Sequence, residues 1–79
     1  MYKKYVRSNI SEMRDIRPDE TKESILNISE SGISVSEPDK ELPEEIFLLG
    51  KIARNPKNHV DKWYIAKEYF DENFKLITE

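Results

Sequence analysis

The sequence predicts a small α+β domain, an antiparallel sheet of two to four short strands with a C-terminal amphipathic helix packed on one face. Three observations carry that expectation. Short runs alternate apolar and polar residues, the period of a half-buried strand. Asn55-Pro56 ends one such run with a dipeptide that starts turns. Beyond it Val60, Trp63, Ala66, Phe70 and Phe74 recur at spacings of three or four, as on one face of a helix.

From the N-terminus, Tyr2, Tyr5, Val6 and Ile10 suit a strand, and residues 8–16 either continue it or form one helical turn. Arg17-Pro18-Asp19-Glu20 is a turn, because proline fixes its own φ and turns the preceding residue away from helix. Leu26-Asn27-Ile28-Ser29 and Ile33-Ser34-Val35-Ser36 alternate as two strands joined through Glu30-Ser31-Gly32, where Gly32 can adopt positive φ. The alternative is a short helix over residues 21–28 with strand only at 33–35. Residues 37–45 hold two prolines and five acids, the composition of an exposed acidic connector. Ile46 to Leu49 is the most apolar run of the chain and belongs to a core or an interface.

Lys51 to Arg54 reads as a strand that stops at Asn55-Pro56. Asn58, three residues before Asp61, has the spacing of a helix N-cap with an acid near the positive end of the helix dipole. A helix starting at Asn58 places Trp63, Phe70 and Phe74 in the core. Tyr64, Ile65 and Tyr69 widen the stripe, and Lys62, Lys67, Glu68, Asp71 and Glu72 take the wet face.

At 79 residues the chain forms one domain, 1–79. A domain of this size buries only about 60–65% of the surface its unfolded chain exposes, so dimerisation is one source of added stability. The absence of cysteine excludes disulfides and thiolate metal sites and suits a reducing compartment, with the cytoplasm as the expected location. The basic N-terminus lacks an apolar run behind it, so neither a signal peptide nor a membrane partner is expected. Charge is segmental. Residues 1–17 carry five bases against two acids, residues 18–45 nine acids against two bases, and residues 46–79 six bases against five acids. The acidic middle opposes non-specific contact with nucleic acid, whose phosphates reward clustered Lys and Arg.

Catalysis finds little support. His59 is the only histidine, which rules out a two-histidine metal motif. No serine sits in a glycine-flanked elbow, and the two glycines do not build a phosphate loop. The expectation is therefore no enzyme, no cofactor and no metal. The best candidate binding residues are Arg54, Asn55, Lys57, His59 and Lys62. At the expected start of the helix they would sit beside free backbone amides able to hold a phosphate or a partner carboxylate.

The segments YKKYVRSNISEMR, GISVS and IARNPKNHVDKWYIAKEYFDENF resemble a group of short, uncharacterised proteins encoded by bacteriophages and prophages. The resemblance spans about two thirds of the chain and omits residues 18–30 and 37–48. It implies a phage or prophage origin and action inside the bacterial host, without implying a chemistry. Three function classes follow. The first is a non-enzymatic accessory protein that binds another protein through its acidic middle or the Ile46 to Leu49 surface. The second is a nucleic-acid-binding module that joins the basic N-terminal segment to Arg54–Lys62. The third is a homo-oligomeric structural subunit.

Overall fold

Alternating side chains on a strand point to opposite faces, so a sheet with a layer on each face needs apolar residues at consecutive positions. That is what the centre of this protein has. The computed structural model describes residues 2–6 and 10–76. Arg7, Ser8 and Asn9, which belong to the expected basic N-terminal segment and the 8–16 run, lie outside the described residues. Six strands form one mixed sheet: β1 (Lys3–Val6), β2 (Ile10–Asp15), β3 (Ile33–Ser34), β4 (Lys51–Asn55), β5 (Asn58–Ile65) and β6 (Lys75–Leu76). Their order is β3-β5-β4-β2-β1-β6, and every pairing is antiparallel except that of β3 with β5. The α+β class holds, with more strands than the two to four expected. The surplus comes from β5, from β6 with its two residues, and from an N-terminal segment that forms two strands, β1 and β2, while the strand expected at residues 26–29 is not formed.

The helices are short: α1 (Lys22–Leu26), α2 (Ile28–Ser31), α3 (Glu37–Lys40), α4 (Glu44–Phe47) and α5 (Lys67–Asn73). The first four lie between β2 and β4 and form a layer on one face. There Ile25, Ile33 and Phe47 pack on Ile52 and Tyr64, all at most 5% exposed. Phe47 stacks flat on the Tyr64 ring, with centroids 4.0 Å apart, and the Tyr64 hydroxyl donates to the Phe47 carbonyl at 2.7 Å. Burial, with the Asp39 charge adding, pushes the Tyr64 phenol well above its ordinary range, so it remains a donor. Gly50 is required beside it. A Cβ there would stand 2.5 Å from both the Ile65 carbonyl oxygen and the Tyr64 hydroxyl oxygen.

On the opposite face α5 crosses behind the sheet. Trp63, Phe70 and Phe74, each half-buried, pack with Tyr5 against the buried Met13, Ala53 and Ile65. Tyr5 meets Phe70 edge-on at 4.8 Å.

Two expectations are corrected. Residues 58–65 are strand, so the helix begins at Lys67, nine residues later than its expected start at Asn58, and the Val60–Phe74 stripe is not continuous. Asn55 and Asn58 end β4 and begin β5 on either side of the Pro56-Lys57 turn, their Oδ1 atoms accepting from the amides of Lys57 (2.9 Å) and Val60 (3.3 Å), the local bonds that compete with helix. Trp63 and Ile65 serve one face and Tyr64 the other. Leu26, Ile28 and Ser29 are helical rather than strand, in line with the alternative reading of that segment, except that the helix breaks at Asn27 between α1 and α2. Thr21 and Ser24 close a reciprocal capping box, the side chain of each accepting the other's amide. Gly32 does adopt positive φ, 68°, as the left-handed cap of α2 and not as a hairpin turn. Residues 37–45 contain α3 and the first two residues of α4. In the apolar run that follows, Phe47 is buried while Ile46 and Leu49 face solvent.

Candidate functional site

The helical layer covers only part of its sheet face, and the rest is lined by charged side chains in cross-strand register. One row runs Lys4, Glu12, Arg54, Lys62 and Ile33 from β1 to β3, and the next runs Arg14, Ile52 and Tyr64. Arg54 directly opposite Lys62 is a like-charge pair, which destabilises a sheet unless a counter-charge intervenes. Glu12 supplies one. Its Oε1 accepts from Arg54 Nε at 2.7 Å and lies 3.4 Å from His59 Nε2, an ion pair when the imidazole is protonated. The Arg54 hydrogen bond, helped by the charges of Arg54, His59 and Lys4, outweighs desolvation and holds the Glu12 carboxyl below its ordinary value.

The Arg54 guanidinium also lies 3.9 Å from the centroid of the Tyr2 ring, a cation–π contact shared at 5.8 Å by Arg14. Arg14 in turn forms a two-pronged bond with Glu20, at 2.7 and 3.1 Å, and both side chains are only 12% exposed. Glu20 accepts the Arg17 amide as well, at 2.8 Å. Burial pulls the Glu20 carboxyl up, but the Arg14 and Arg17 bonds together outweigh it and leave it below the usual carboxylate range.

A bulge brings His59 into this group. The pairing of β4 with β5 jumps from Arg54–Lys62 to Asn55–Asn58, so residues 59–61 have no partner on β4 and the strand is re-aimed. Of the five residues expected in a site, Arg54 and His59 converge on Glu12, and Lys62 sits beside Arg54 in register. Asn55 shapes the hairpin turn and Lys57 is exposed at its tip. The expected helix N-terminus beside them does not exist, since the backbone there belongs to a hairpin.

Tyr2, Glu12, Arg14 and Glu20 were not among the candidates. The alternation Glu12-Met13-Arg14 was the available signal, because a strand with Met13 inward must turn both charges to the other face. Among the described residues no three His, Asp or Glu side chains are placed to hold a metal ion, and no buried side-chain nitrogen or oxygen lacks a partner. No helix among them is long and apolar enough to cross a membrane. The chain matches no protein-family model, no curated protein and no solved structure in the comparisons made.

The charged row is thus a compensated surface. It offers Arg and Tyr, side chains that anchor protein interfaces, with carboxylates already bonded to both central arginines. The second feature of the molecule is apolar. Ile28, Ile46 and Leu49, from α2, α4 and the turn after α4, are 58%, 49% and 57% exposed.

Proposed function

We propose that this protein is a non-enzymatic accessory factor of phage or prophage type, which acts in the bacterial cytoplasm by binding another protein. The observation that carries this reading is the solvent-facing Ile28, Ile46 and Leu49 on a layer whose Ile25 and Phe47 are fully buried. A small domain that leaves large aliphatic side chains uncovered on one layer presents surface suited to a partner. The charged row supports the same reading, because Arg14 and Arg54 already have carboxylate partners and so offer less to a phosphate backbone than free cations would.

The test is affinity capture of the tagged protein from a bacterial lysate, with half of the sample treated with nuclease. One protein retained near stoichiometry in both halves supports the reading, and recovery of the chain alone overturns it. A second reading, a nucleic-acid-binding module, is favoured by the alignment of Lys4, Arg54 and Lys62 in one row. It predicts retention that disappears with nuclease and a gel shift that weakens steeply with salt. A homo-oligomeric subunit joined through Ile46 and Leu49 predicts a mass that rises with concentration.

A further inference from the structure

We draw no further inference here: the strongest candidate, the apolar groove beside β3 lined by Leu26, Ile28, Ile33 and Val35, carries nothing because its one charged residue, Lys40, is already paired with Glu37 and nothing in the structure shows what covers it.

Discussion

One face of this sheet has two halves built from the same strands by different physics. Under α1 to α4, Ile52 and Tyr64 are covered by Ile25, Ile33 and Phe47. Beyond that layer the same strands β2, β4 and β5 present Glu12, Arg14, Arg54 and Lys62. The covered half draws its stability from area removed from water, where each fully buried aromatic or aliphatic side chain contributes about 1.5–3 kcal/mol. The charged half is stabilised by directional pairs that must first offset their own desolvation, so it contributes less and depends on pH. The difference assigns most of the stability to one half and the pH dependence to the other.

Phe47→Ala is expected to break the covered half outright. It removes a fully buried ring and its stack on Tyr64, a loss of about 3–5 kcal/mol that is comparable with the whole stability of so small a domain. A chemical-denaturation curve without a native baseline is the expected result. Gly50→Ala attacks the same half through the backbone. The Ile65 carbonyl, 2.5 Å from the added methyl, is part of a strand and yields poorly, so a loss of about 2 kcal/mol is expected at an unchanged denaturant slope.

The charged half responds more weakly and with a pH signature. Because the folded Glu20 carboxyl titrates below its ordinary value of 4.5, its contribution is complete above that value and is lost as the pH falls through the lower folded value. Glu20→Gln should cost about 1 kcal/mol near neutral pH and should flatten part of the acid-side decline in melting temperature. Some decline remains, since Glu12 and Asp15 are held down in the same direction by Arg54 and Lys51. An equal acid-side slope in variant and wild type would remove the Arg14–Glu20 pair from the comparison. The smallest effect is expected at the bulge, where Val60 is 82% exposed. Val60→Thr should stay within about 0.5 kcal/mol of wild type.

How far the sequence can be read depends on the element. The 51–54 strand and its Asn55-Pro56 stop were legible because turn chemistry is local. The candidate site was legible in half. Arg54, His59 and Lys62 could be named from their clustering, whereas Glu12 is 42 residues from Arg54 and meets it only through the pairing of β2 with β4. Arg14 and Glu20 are only six residues apart, but their bond depends on where the chain turns at Arg17-Pro18.

By itself the sequence determined the α+β class, the end of a strand at Asn55-Pro56, the positive φ at Gly32 and the apolar character of the 63–74 region. Only the tertiary structure decided that residues 58–65 are strand. Trp63-Tyr64-Ile65 is apolar at three consecutive positions, and such a run fits one widened helix face or a strand buried on both sides equally well. The choice falls to strand because α1 to α4 cover one face and α5 covers the other. Tyr64 and its neighbours Trp63 and Ile65 each find a core on their own side, a circumstance that exists only once the whole chain is folded.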